Sequence, residues 1–341
     1  MYKILLVCFF VTLTFPVFAD INKDDIRKSA DYIIACQLPN GLIAMDRNKN
    51  IRAVPYFTNF SAIGLLRAYQ ATNDKRYLQS VLKYCNWYIS NTNADNTIYD
   101  FTGTRTDPKP TGTYDSTDSY AATFIYLCYE TYQLTKDKKW IKHIYPHINR
   151  CVEAIKLTWQ TDGLTFATPK YPAKYLMDNI EVRAGLRCGL EIAKLLNDKS
   201  NITKLQVMLK QNASGLKSLW NSNENVFAYV MNQDNSVECS LKQWYPDGMA
   251  NAMTAAYILS PKDKQAVSLI KAITTKFPDT NDYWLFAAAY KFGFKTQASK
   301  IKEKLKSNFT NSLDHAHYIR TLLPNYDNFI YTKDSITLPN K

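Results

Sequence analysis

The chain is predicted to be all-α and, within that class, an (α/α)6 toroid. Three observations carry this: helical spacing of apolar residues throughout, short extended pieces that return at intervals, and an alternation of two helix types. From "RKSADYIIACQ" through "YFTNFSAIGLLRAYQATND", "KRYLQSVLKYCNWYISN", the helix after Tyr114, "WIKHIYPHINRCVEAIKLTW", "NIEVRAGLRCGLEIAKLLND" and "ITKLQVMLKQNASGLKSLW", apolar residues recur at three and four rather than at two. "DGMANAMTAAYIL", "KDKQAVSLIKAITTKF", "DYWLFAAAYKFGF", "QASKIKEKLKSNF" and "LDHAHYIRTLL" continue the pattern, so about a dozen helices are expected.

Residues 1–19, "MYKILLVCFFVTLTFPVFA", have one cation at Lys3, an apolar run that contains Cys8, and small Ala19 at the end. This is the grammar of a signal peptide, and the run is too short to span a bilayer. Residues 20–341 are then expected to form one domain in a periplasmic or secreted protein. The pieces "NGLIAMD", "DNTIYDF", "DGLTFAT" and "ENVFAYV" come back about every 55–65 residues, and a helix pair usually follows each. Within a pair the first helix is richer in small residues and the second in Lys and aromatics, joined by links such as "TNDKRY" and "TKDKKW". That alternation suits six hairpins in a ring, with small-residue helices inside. An open solenoid of the TPR type has a shorter period and gives the extended pieces no role.

The formal charge of +12 is spread without a block of five like charges, which reads as a solvated basic surface rather than a nucleic-acid footprint. Cys36, Cys85, Cys128, Cys151, Cys188 and Cys239 stand at helical spacing among apolar residues and read as small buried hydrophobes, with one or two disulfides open to them after export. No metal or cofactor is expected. His315 and His317 lie on different helix faces, His143 and His147 lack an acidic third ligand, and there is no zinc-type Cys spacing, phosphate loop, GxSxG or HExxH. Asn59, Asn201, Asn212 and Asn308 open N-x-S/T sequons. The chain is expected to act as a monomer.

In a ring of hairpins the entrances to the inner helices converge at one end, and three of these are acidic. They are "YDSTDS" with Tyr114, Asp115, Asp118 and Ser119; "KYLMDNIEVR" with Asp178, Glu181 and Arg183; and "KQWYPDGM" with Trp244, Tyr245 and Asp247. An Asp at a helix start is often a cap, and Asp115 with Asp118 three residues on fits a capping box. Tyr56, Phe57, Tyr99, Tyr114, Tyr120, Tyr171, Tyr175, Trp244 and Tyr245 cluster at the same entrances. Carboxylates beside aromatic platforms are what glycoside hydrolysis requires: one acid protonates the leaving oxygen and a second carboxylate activates water or attacks carbon.

These segments resemble the six-hairpin glycosidase superfamily, and within it glycoside hydrolase family eight, the bacterial cellulase and chitosanase group. "YFTNFSAIGLLRAYQATNDKRYLQSVLKYCNWYI" is similar to that family's early inner-helix segment, "DSTDSYAATFIYLCYETYQLTKDKKW" to its aspartate-pair helix, and "YLMDNIEVRAGLRCGL" to the segment carrying its water-activating aspartate. The resemblance implies that Asp118 contacts the sugar at the cleavage point and that Asp178 is the base of an inverting hydrolase. The family's acid glutamate is replaced by Thr58, Asn59 and Phe60, and its arginine is displaced to Arg183, so Glu181 or Asp247 is expected to be the acid. Tyr56, Tyr114, Asp115, Tyr175, Arg183, Trp244 and Tyr245 are expected to bind a polysaccharide or oligosaccharide. A lyase using Tyr175 and Arg183, and a non-catalytic glycan-binding component of an export system, are the alternatives.

Overall fold

The computed structural model describes residues 22–307, 309–327 and 335–338; the leader over 1–19 and the sequon at Asn308 lie outside the described residues. Twelve α-helices are described. The inner ring is α2 (Pro55–Thr72), α4 (Thr117–Thr135), α6 (Leu176–Leu195), α8 (Met249–Ile258), α10 (Tyr283–Lys291) and α12 (Ser312–Leu322), and each helix packs on the next until α12 returns to α2. Outside it lie α1 (Lys23–Cys36), α3 (Lys75–Ser90), α5 (Lys138–Lys156), α7 (Lys199–Ser218), α9 (Lys264–Lys276) and α11 (Lys295–Lys306). The expected (α/α)6 toroid is thus present. Five hairpins are consecutive in sequence, whereas the sixth is made from the two ends of the chain, with α12 packed against α1.

The links quoted above are the physical turns. Just past inner helices stand Asn73, Lys136 and Asn197 in the left-handed region, at φ 57°, 52° and 57°. The residue after each is an aspartate, Asp74, Asp137 or Asp198, whose carboxylate accepts from a first-turn amide of the following outer helix. A left-handed stop followed by an acidic cap reverses the chain in two residues. Inner helices are apolar nearly all round, α4 being buried continuously from Thr117 to Tyr132, because they meet both the outer layer and the ring interior. Their close approach needs glycine: a Cβ on Gly185 would stand 2.6 Å from the Ala122 carbonyl oxygen, and one on Gly64 would stand 2.5 Å from the Ala316 Cβ.

The extended pieces pair into small antiparallel sheets above the inner-helix N-termini. β1 (Asn50–Ala53), β2 (Phe101–Thr104) and β3 (Pro108–Pro110) form one, and β4 (Lys174–Tyr175) pairs with β7 (Val230–Met231), itself paired with β8 (Val237–Glu238). A third joins β5 (Trp220–Asn221) to β6 (Val226–Phe227). The six cysteines of the described residues are free, five of them buried. No described helix is long and apolar enough to cross a membrane.

Candidate active site

At the N-terminal mouth of the ring, α2, α4 and α6 bring together Tyr56, Asp118, Asp178 and Glu181. Asp178 and Glu181 share a face of the first turns of α6, three residues apart. The Tyr56 hydroxyl donates to Glu181 Oε1 at 2.7 Å, while Glu181 Oε2 is buried without a hydrogen-bond partner among the described residues. Asp178 is half-buried.

Asp118 has no exposed surface. Ser116 Oγ donates to its Oδ1 at 2.5 Å, the Ser119 amide donates to the same oxygen at 2.9 Å, and the Thr165 hydroxyl donates to Oδ2. These three donors hold Asp118 between α4 and the extended piece at Thr165, so it is not at the cleft surface where the family resemblance placed a sugar contact. Its link to the cleft is Ser116, whose Oγ lies 3.4 Å from Asp178 Oδ2. Ser116, not Asp115, caps α4, accepting from the Ser119 amide at 3.3 Å. Asp115 is left exposed at the rim beside half-buried Tyr114.

The leading electrostatic influences on these acids are burial and one another. Burial raises the Asp118 pKa to about 6, opposed by the hydrogen bonds from Ser116, Thr165 and Ser119. Burial pushes Asp178 well above the usual carboxylate range, and the negative charges of Asp118 and Asp115 push it further. Glu181 is also driven well up, by burial first and the Asp178 charge second, against the Tyr56 hydrogen bond. Acids this close titrate as a coupled group rather than one by one.

Aromatic rings line both sides. Tyr99 stacks on Tyr114 with centroids 6.0 Å apart, Tyr114 meets Tyr120 at 6.4 Å, and Tyr120 stacks on Tyr56 at 5.9 Å. Across the α4–α6 seam, Tyr171 stacks on Tyr175 at 6.3 Å, and burial, Asp115 and Asp178 all raise the Tyr245 phenol.

No family model and no curated protein matches the chain. Solved structures match it in fold. The GH76A α-1,6-mannanase of Salegentibacter sp. HEL1_6, as an inactive variant in complex with α-1,6-mannotetrose, superposes with a TM-score of 0.58 and 11% identity, over 90% of this chain and 99% of that one. A glycosidase variant in complex with glucose gives 0.61 at 12% identity, over 89% and 96% of the two chains. A rhamnosidase from Klebsiella oxytoca with rhamnose bound gives 0.59 at 14% identity, over 89% of this chain and 64% of that one. The likeness is one of fold, an (α/α)6 toroid.

Three expected site residues point elsewhere. Arg183 Nη1 donates to the Leu209 carbonyl at 3.0 Å, because two residues beyond Glu181 the helix has turned toward α7. Trp244 packs edge-on against Phe277 with centroids 5.7 Å apart and hydrogen-bonds Asp282, away from the acids. Asp247 ties down its own loop, accepting from the Ser240 hydroxyl and from the Lys242 amide at 2.9 Å. Thr58 and Asn59, where the resemblance lacked its glutamate, belong to a buried network: the Tyr84 hydroxyl lies 2.8 Å from Thr58 Oγ1 and donates to Asn59 Oδ1 at 2.9 Å. Sequence reasoning missed Thr165, which is remote from Asp118 in sequence, and Asp282, the half-buried cap of α10, whose carboxyl is raised to about 6 by desolvation. It underused Ser116, whose S-x-x-S cap pattern was visible.

Proposed function

We propose that the protein is an exported, monomeric glycoside hydrolase acting on a polysaccharide. The observation that carries this is half-buried Asp178, beside the Ser116 hydroxyl and three residues from Glu181 at a tyrosine-lined mouth, where burial and acidic neighbours favour its protonated form. Asp178 then acts as proton donor, the reverse of the base role expected from the sequence, because burial and two acidic neighbours disfavour its ionised form. It gives its proton to the leaving glycosidic oxygen as the bond to the anomeric carbon breaks. Water attacks that carbon from the opposite face and loses a proton to Asp115 at the rim, which yields inversion. Glu181, 1% exposed and held by Tyr56, stands behind Asp178 as a positioning residue. Export rests on the leader grammar of residues 1–19.

The solved mannanase variant lost activity when two consecutive aspartates were replaced. In this chain the one adjacent pair, Asp24 and Asp25, opens the outer helix α1, so the acid set proposed here is arranged differently. The lyase alternative loses its cation, since Arg183 is directed at α7. The test is reducing-end release by the mature chain on α-1,6-mannan and a panel of neutral, amino and uronic polysaccharides. Asp178→Asn should fold normally and lose at least about a hundredfold in rate, the usual worth of a positioned general acid. Full activity in that variant would refute the assignment, and binding without product on every polymer would favour a glycan-binding protein.

A further inference from the structure

We infer that the protein has a second ligand site, at the end of the ring away from the acids, which takes a small carboxylate with an aromatic or other apolar body. The site is a cavity of about 600 Å³ between one face of α10 and the turns that follow α8 and α12. The inner helices start at the mouth, so residues just past the ends of α8 and α12 stand at the far side of the ring. None of the described residues lining the cavity comes from α2, α4 or α6, the helices that carry the acids. Its volume is that of a small-molecule site, about 300–1,000 Å³.

Three rings of α10 build the apolar wall. Tyr283 and Phe286 are buried, and the Tyr283 ring is fixed by the guanidinium of buried Arg320 on α12, 4.1 Å from its centroid. Tyr290 stands at the rim, 38% exposed, with its hydroxyl donating to Asn325 Oδ1 at 3.0 Å and its ring stacked on Phe286 at 5.9 Å. Charge sets the class of ligand. Lys262 and Lys291 line the cavity, and its described lining holds no carboxylate. The Lys291 amine is held in place, because Nζ donates to the Ala255 and Ala256 carbonyls near the end of α8 at 3.1 and 2.9 Å. The turn carrying Lys262 is also tied down: its amide donates to Ser260 Oγ at 3.2 Å, and the Ile336 amide donates to the Ile258 carbonyl at 2.8 Å. Two amines at the edge of an apolar wall suit a carboxylate on an apolar body, the amines fixing its head and the rings its body. Burial lowers the Lys291 pKa to about 7, so an anion beside it is bound with uptake of a proton.

The experiment is isothermal titration calorimetry of the mature chain with 2-naphthoate and with 2-naphthylmethanol, which has the same rings and no charge. The acid should bind at one site, at least about tenfold more tightly than the alcohol. Lys262→Gln, at an exposed position, should weaken the acid about tenfold and leave the alcohol unchanged. Tyr290→Ala at the rim should weaken both. Asp178→Asn should change neither, whatever becomes of the hydrolase reading, since that carboxyl belongs to the mouth. No binding at millimolar naphthoate, equal affinity for acid and alcohol, indifference of the acid to Lys262→Gln, or loss of binding in Asp178→Asn would each overturn the inference.

Discussion

Replacing Asp118 by Asn tests whether the acids are as desolvated as their geometry implies. In the folded chain burial holds the Asp118 carboxyl at about 6 against an ordinary 3.8, a difference that costs about 3 kcal/mol of stability at neutral pH. The sign is opposite to that of a salt-bridged aspartate. Below pH 3.8 the group is protonated in folded and unfolded chains alike and costs nothing; from there to about 6 only the unfolded chain ionises, so stability falls as pH rises, and above about 6 the full cost is carried. Asn keeps the shape and an acceptor for Ser116 and the Ser119 amide, and its amino group faces the Thr165 hydroxyl, which also accepts. Urea denaturation at acid and at neutral pH should therefore show Asp118→Asn gaining on the parent by about 3 kcal/mol between the two. Losing the Asp118 charge should also lower the Asp178 pKa and move the alkaline limb of kcat/KM to lower pH. Parallel stability curves for the two proteins would refute the desolvation argument.

Three further outcomes follow from the same geometry. Tyr56→Phe retains the ring stacks but strips the buried Glu181 carboxyl of its donor, and should cost about 1–3 kcal/mol in denaturant midpoints at pH 7. Gly185→Ala drives a Cβ to 2.6 Å from the Ala122 carbonyl oxygen between two inner helices, and should cost about 1–3 kcal/mol by thermal or urea unfolding. Because all six described cysteines are free, adding a reductant should leave the melting temperature unchanged, and a thiol assay on the unfolded mature chain should find every cysteine reactive.

The ring was legible because it is built from local signals. Apolar spacing sets each helix, and links such as "TND" and "TKD" hold both the left-handed stop and the acidic cap that reverse the chain. The acid-bearing entrances of α4 and α6 were also visible, since a carboxylate on the first turn of an apolar helix departs from the pattern around it. Direction around the helix was harder to read. Glu181 and Arg183 are two residues apart, yet one meets Tyr56 across the mouth and the other meets α7 behind it. Asp118 looked like a cleft residue because its fixing partner, Thr165, is 47 positions away. Asp247 and Trp244 carried the same signature as the true cluster, but their loop folds back on itself and on α9 and α10.

The sixth hairpin, made of the first and last helices, has a consequence for how the ring closes. Its seam is tied late: Asp25 on α1 accepts from Lys306 and Tyr318, and the Ser312 amide of α12 bonds the Met45 carbonyl. Until α12 docks, the chain is an open arc whose first helices expose the apolar faces that α12 covers. The final helix therefore acts as a keystone, and a message cut short before it leaves an adhesive crescent instead of a ring.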